Sequence, residues 1–213
     1  MKVLVIDTAL GACTAALFEC GREVAARSEP MIKGHAERIA GFVRDVMAGQ
    51  DWSSLDRIGV TVGPGSFTGL RVGLAFAQGL AEALDRPVVG ISTLEALARS
   101  VDTSGPIAAA IDARRGQVYF QPFTGDAADG PPEPLALAEA QARASGVTAL
   151  IGTGAPLLAE AAPNAAQHVV EAPSPVALAE LTEAADPSVP AAPLYLRAPD
   201  ATPPTRLPGQ RRA

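Results

Sequence analysis

Cysteine is scarce, with only Cys13 and Cys20 in 213 residues. Seven positions apart in one apparent strand, they would stand about 23 Å apart on opposite faces. That spacing excludes a disulfide between them, and a reducing compartment is the simple expectation. Aromatic residues are scarce too, 4% against a hydrophobic fraction of 48%. The apolar fraction excludes wholesale disorder. Much of it is Ala, so the core must rest on close packing of small side chains rather than on large rings. Histidine occurs only as His35 and His168. Ile39 stands where a second helical ligand would have to pair with His35. HExxH and Cys/His clusters are absent, which argues against a zinc or iron site built by this chain alone. Without G-x-S-x-G, Ser66 is a poor nucleophile. His35 reads as a polar helix-start residue.

Long apolar runs are also missing. Asp7 interrupts MKVLVIDTAL, so no secretory leader is expected. The longest apolar stretch, Val72–Leu84, is broken by Gln78 and Glu82 and is too short to span a bilayer. A cytoplasmic protein without a membrane partner is the expectation. Basic charge is short as well. The net charge is −6, and the segment from Arg197 onward contributes four Arg and one Asp. The rest therefore stands at about −9. An acidic body does not attract phosphate backbones by itself. If the protein works near nucleic acid, a partner supplies most of the grip.

The chain does contain a clear order of elements. Lys2–Thr8, Cys13–Glu19 and Glu23–Ser28 predict an antiparallel meander. His35–Met47 switches to helical period. A strand at Arg57–Val62, a helix at Thr68–Leu84, a strand at Pro87–Ile91 and a helix at Thr93–Val101 follow. Three meander strands followed by alternating helices and strands give a mixed sheet covered by helices. This is the order of an RNase H-like half of the actin-like ATPase architecture, so the expected fold class is α/β of that type. Residues 1–103 form the expected first subdomain. Residues 104–197 form a similar but abbreviated second one, with strands at Ile107–Asp112, Gln117–Phe123, Ala149–Ile151 and His168–Val170. A flexible loop is expected at Gly125–Pro134, and helices at Ala136–Ala144 and Val176–Ala185. From Pro187 the chain reads as extended or disordered, and 198–213 as a Pro/Arg-rich tail.

Gly63-Pro64-Gly65-Ser66-Phe67-Thr68-Gly69-Leu70-Arg71 lies between a strand and a helix. Glycines there permit close backbone approach, and a helix N-terminus favours anions. Yet a Walker A loop needs Gly-Lys-Ser/Thr, and a dinucleotide fingerprint needs Gly at position 68. The competing reading is a tight turn capped by Ser66 or Thr68. Asp7 and Thr8 end the first strand, and Asp112 ends the corresponding strand of the second half. Two such Asp can hold a Mg²⁺-nucleotide between halves, and Gly152 and Gly154 can meet an adenine ring. The cradling glycines after each Asp come late, however, so strand-end caps without nucleotide compete with this reading. A small actin-like Mg-ATP-dependent kinase or ATPase is the enzymatic alternative.

The helix after the Gly-rich loop carries its strongly polar residues in a stripe of roughly 60°. Gly69, Gly73 and Ala77 make one thin edge, and Val72, Phe76 and Leu80 belong to the remaining apolar surface. One sheet cannot cover so much. The preceding helix presents Ala36, Ile39, Ala40, Phe42, Val43, Val46 and Met47. Burial within the chain and burial against another subunit are both open; the excess points to a subunit interface.

VLVIDTA, GHAE, VTVGPGSFTGLRVGLAFAQGLA, VVGISTLEALA, IDARRGQVYF and PLYLR together resemble the TsaB family. The resemblance runs from about residue 2 to 197. It implies a two-domain actin-like fold and a non-catalytic role in making N6-threonylcarbamoyladenosine beside the tRNA anticodon. It implies a heterodimer with the catalytic paralogue TsaD through a helical bundle, and a docked ATPase, TsaE. The assembly residues then fall on the two over-apolar helices. ATP and Mg²⁺ are expected on the partners and at most weakly here, tRNA is contacted indirectly, and the chain alone is able to form a homodimer. The family has been grouped with glycoprotease-like peptidases, but no residue here supports peptide hydrolysis.

Overall fold

Apolar residues in the first two strands bury both faces of one sheet. The computed structural model describes residues 1–197; the expected tail, 198–213, lies outside them. Strands β1 (Lys2–Asp7), β2 (Ala12–Glu19) and β3 (Arg22–Pro30) form the meander, and β4 (Arg57–Gly63) and β5 (Val88–Ser92) add in parallel beside β1. The order is β3-β2-β1-β4-β5. Leu4, Ile6, Ala15, Leu17, Ile58 and Val60 face helices α1 (His35–Val46) and α2 (Phe67–Leu84). Val3, Val5, Ala16, Phe18, Val89 and Ile91 face the other way. Period-two alternation thus gives a sheet with helices on both sides.

Helix α3 (Thr93–Ala98) is the wedge between the halves. Its Ala96 packs on the first sheet, while Leu94, Leu97 and Ala98 pack on the second. The second sheet runs β11-β10-β6-β7-β8, with β9 also paired to β7. It comprises β6 (Pro106–Arg114), β7 (Gln117–Thr124), β8 (Ala127–Ala128), β9 (Glu133–Ala136), β10 (Ala149–Ile151) and β11 (Ala166–His168). Helices α4 (Leu137–Arg143) and α5 (Ala155–Leu158) cover its far face through Ala140, Ala144, Ala155 and Leu158. The two halves are RNase H-like mixed sheets, the second with short strands at its edge, as the actin-like expectation requires.

Three stretches differ from the sequence reading. Within the expected loop Gly125–Pro134, β8 and β9 return to pair with β7. The last strand is Ala166–His168 rather than His168–Val170. Helix α6 (Pro175–Ala184) belongs by sequence to the second half but covers the first sheet, burying Leu178, Ala179 and Leu181 against Val3, Val5 and Phe18. Without it that face of β1 and β2 would lie bare, and an apolar sheet face needs a cover.

The segment after Pro187 is extended, and it is fixed in place. Leu194 N donates to Val62 O at 2.7 Å, Gln78 Nε2 to Ala191 O at 3.3 Å, and Arg71 Nε to the Tyr195 hydroxyl at 3.0 Å. Arg197 donates to Ala113 O at 3.1 Å and to Gln117 Oε1. This strap joins α2 and β4 to the β6–β7 hairpin.

Candidate functional site

β1 carries Asp7 to the centre of the molecule, where the carboxylate has no solvent access. Its Oδ1 accepts from Thr61 Oγ1 at 2.7 Å and from Ala9 N at 3.0 Å. Its Oδ2 is buried with no partner among the described residues. Burial pushes the Asp7 carboxyl above the usual range; the two hydrogen bonds and His35 act the other way. Thr8 is equally buried, and its hydroxyl donates to Gly69 O at 2.8 Å, tying β1 to the first turn of α2.

The Gly-rich loop packs onto that same strand end. A Cβ at Gly65 would overlap Ala9 O, one at Gly69 would overlap Thr8 O, and one at Gly73 would overlap Thr8 Oγ1. Ser66 N donates to Ala9 O at 2.7 Å, and Ser66 Oγ accepts from Gly69 N at 3.2 Å as the N-cap of α2. The glycines therefore admit the chain's own β1–β2 connection. The tight, capped turn is the observed arrangement, and the space a phosphate would need beside Gly65 and Gly69 holds Thr8 and Ala9.

Asp112 lies at the facing end of β6. Its Oδ1 accepts from Arg114 N at 2.8 Å, its Oδ2 pairs with Arg114 at 3.2 Å, and its N–H donates to Thr153 Oγ1 at 3.1 Å. Gly152 and Gly154 press on Ala110, where a Cβ at Gly154 would come within 3.0 Å of the Ala110 carbonyl carbon. Between the halves lies a cleft of about 610 Å³, lined by Leu10, Ser66, Asp112, Tyr119, Thr153 and Glu171 among others. Asp112 and Thr153 thus reach the cleft, whereas Asp7, Thr8, Gly152 and Gly154 do not line it. These residues do not fit a Mg²⁺-nucleotide. One Asp is sealed from the cleft, the other is paired with the exposed Arg114, and the loop glycines are packed by Thr8 and Ala9. Among the described residues no group of three His, Cys, Asp or Glu is placed to hold a metal ion.

The helix faces separate into buried residues and residues that are exposed or only half-buried. Ile39, Phe42, Val43, Val46 and Met47 are buried in the chain's own core, as are Gly69, Gly73 and Ala77. These eight are removed from the expected partner surface. β2 and β3 flank α1 closely enough to absorb its wide apolar sector, and α2 sinks its glycine edge onto β1 and β4. Ala36 and Ala40 of α1 are exposed, and Val72, Phe76 and Leu80 of α2 are half-buried. A hollow of about 360 Å³ opens at one end of the seam, lined by Ile32, His35, Ala36, Thr68 and Val72 among others. Ile32 at its rim is 91% exposed.

Two features escaped the sequence reading. His35 starts α1 as expected but is buried, with Nε2 lacking a partner among the described residues. Phe67, Arg71 and Tyr195 form one surface cluster. The guanidinium of Arg71 lies 3.6 Å from the Phe67 ring centre and 5.8 Å from that of Tyr195. Arg71 was legible as a polar member of α2. Its partner Tyr195 lies 124 residues away and gave no local signal.

Two RNase H-like halves joined across a cleft, with the Gly-rich turn packed on the β1–β2 connection, define the class: an α/β chain of actin-like architecture. The family of TsaD, tRNA N6-adenosine threonylcarbamoyltransferase, matches residues 28–177. The tRNA threonylcarbamoyladenosine biosynthesis protein TsaB of Escherichia coli is 34% identical over 167 residues, 72% of each chain. An uncharacterised Mycobacterium tuberculosis protein is 36% identical over 207 residues, 94% of each. A solved Pseudomonas aeruginosa protein, described as similar to the peptidase YeaZ, superposes with a TM-score of 0.78 at 31% identity. That superposition covers 92% of this chain and 99% of the other. The chain belongs to the TsaB family.

Proposed function

We propose that this chain takes part in tRNA threonylcarbamoyladenosine synthesis as a non-catalytic subunit. It pairs with a TsaD-like catalytic subunit through the outer faces of α1 and α2. The observation that carries this reading is the outer seam of exposed Ala36 and Ala40 with half-buried Val72, Phe76 and Leu80. The shared name of the Escherichia coli relative supports the pathway. The misfit of Asp7, Asp112 and the filled loop to Mg-ATP favours a supporting role over an ATPase or kinase. ATP and Mg²⁺ then belong to the partners, a TsaE-like ATPase docks on the assembled pair, tRNA is reached through the partner, and a homodimer forms when the chain is alone. The chain works in the cytoplasm; no helix among the described residues is long and apolar enough to cross a membrane.

The buried position of Gly73 makes a charged substitution there a test of folding rather than of assembly. Phe76→Asp is the better probe when read beside its own melting temperature, because Phe76 is only half-buried although it also packs against the chain's core. In titration calorimetry with the TsaD-like subunit of the same organism, Phe76→Asp loses at least about 30-fold in affinity, as an interface aromatic does. Depleting the chain lowers threonylcarbamoyladenosine in tRNA nucleoside digests. Undiminished modified nucleoside would overturn the pathway, and unchanged affinity would overturn the interface.

A further inference from the structure

The aromatic-poor chain places two of its nine aromatic side chains in one surface cluster. Phe67 and Tyr195 remain 43% and 42% exposed, with ring centres 5.3 Å apart. Arg71 is stacked on Phe67 at 3.6 Å, and its Nε is held by the Tyr195 hydroxyl. A guanidinium has five N–H donors in a rigid planar fork. One is used here. Among the described residues the two terminal nitrogens meet no hydrogen-bond acceptor and no carboxylate. The fork is therefore pre-oriented, with its stacking face and Nε engaged and its outer edge free among the described residues. Fixing so flexible a side chain in advance lowers the ordering cost of a later contact.

The position of the cluster narrows what that contact is. Phe67 and Arg71 sit one helical turn apart on α2, and Arg71 adjoins half-buried Val72 at the start of the outer seam. The cluster is continuous with the proposed partner face. Arg71 is the single cation on α2, whose other charged residue is Glu82. The whole chain is acidic, at −6. A phosphate backbone is gripped by several cations together, whereas one planar fork on an aromatic pad matches one carboxylate through two parallel hydrogen bonds. Arg and Tyr are also the residue types that dominate binding energy at protein interfaces.

We propose that Arg71, prepared by Phe67 and Tyr195, is the polar anchor of this interface and receives an aspartate or glutamate side chain of the catalytic subunit. This rests on the heterodimer reading above. It adds that the strap is part of the surface, since Tyr195 reaches α2 only while Ala191–Arg197 is docked.

The test uses the full chain and its TsaD-like partner in titration calorimetry at several salt concentrations. Arg71→Ala and Arg71→Gln are expected to weaken binding about 30-fold or more, with unchanged melting temperature. Arg71→Lys keeps charge but loses the fork, and is expected to lose about tenfold. Wild-type affinity falls as NaCl rises, and Arg71→Gln flattens that slope. If Arg71→Gln binds like wild type while Phe76→Asp does not, the anchor fails and the interface stands. If wild type itself does not bind, or Phe76→Asp and Arg71→Gln both bind fully, the heterodimer face fails, and the anchor with it. An Arg71→Gln variant that keeps protein affinity but loses binding to an anticodon stem-loop RNA would make the cluster a base-stacking platform and overturn the carboxylate assignment.

Discussion

Asp7 holds a carboxylate where water cannot reach it, with one oxygen bonded and the other without a partner among the described residues. Its ordinary value is 3.8, and burial raises it in the folded chain. The folded state therefore binds the proton more tightly than the unfolded state. The contribution of this group is fully present below the unfolded value and is lost as pH rises through the raised folded one. Asp7→Asn removes the charge and keeps the acceptor for Thr61 and Ala9. Its stability relative to wild type should be near zero at about pH 4 and should increase toward neutral pH, in urea unfolding across that range. A difference independent of pH would show that Asp7 is not held above its ordinary range. Asp7 was visible in the sequence as a strand-end acid. Its sealing was not, because the lid is Thr61 from β4 and the Thr8–Ala9 connection, neither of which local spacing reveals.

At the scale of elements, α1 and α2 show how far periodicity reaches. It located both helices to within about a residue and identified the apolar excess. It could not divide that excess between the chain's own sheet and a second surface, since the division depends on how closely β2, β3 and β4 approach. Gly41 and Gly79 mark the difference. A Cβ at either position would meet no atom within 4 Å, so nothing inside the chain requires glycine there. Gly in a helix interior costs about 0.5–1 kcal/mol relative to Ala. Gly79→Ala should therefore stabilise the isolated chain by about that amount in urea unfolding, while weakening partner binding if the seam packs closely against another helix. Destabilisation would show that Gly79 has an internal role. Strand β9 was missed for a different reason. Pro131, Pro132 and Pro134 read as loop, yet β9 pairs only with β7, and an edge strand tolerates a proline such as Pro134.

For the whole molecule, the order of the first five strands was legible because meander and crossover signals are local. The return of α6 to the first sheet was not, because it is a long-range solution to an uncovered apolar face. The central wedge couples the halves. Leu97 of α3 is fully buried against Ile107, Ile111 and Phe123 of the second sheet, while its neighbour Ala96 packs on the first. Leu97→Ala should cost about 2–5 kcal/mol. It should lower in parallel the stability read by Trp52 fluorescence in the first half and by Tyr119 in the second. Two separated transitions would mean that the wedge does not join the halves into one cooperative unit.

The strap from Ala191 to Arg197 also sets a mechanical condition. One end is fastened to α2 through Tyr195 and Gln78, the other to the β6–β7 hairpin through Arg197. The cleft between the halves is bordered by Ser66 on one side and by Ala113 and Arg114 on the other, and the tether joins the same two halves. A hinge motion that widens the cleft must stretch the tether or draw Tyr195 off Arg71. Gape of the cleft and shape of the α2 surface are therefore geared together, and a subunit clamped on α2 would hold the jaws of the cleft at a fixed opening.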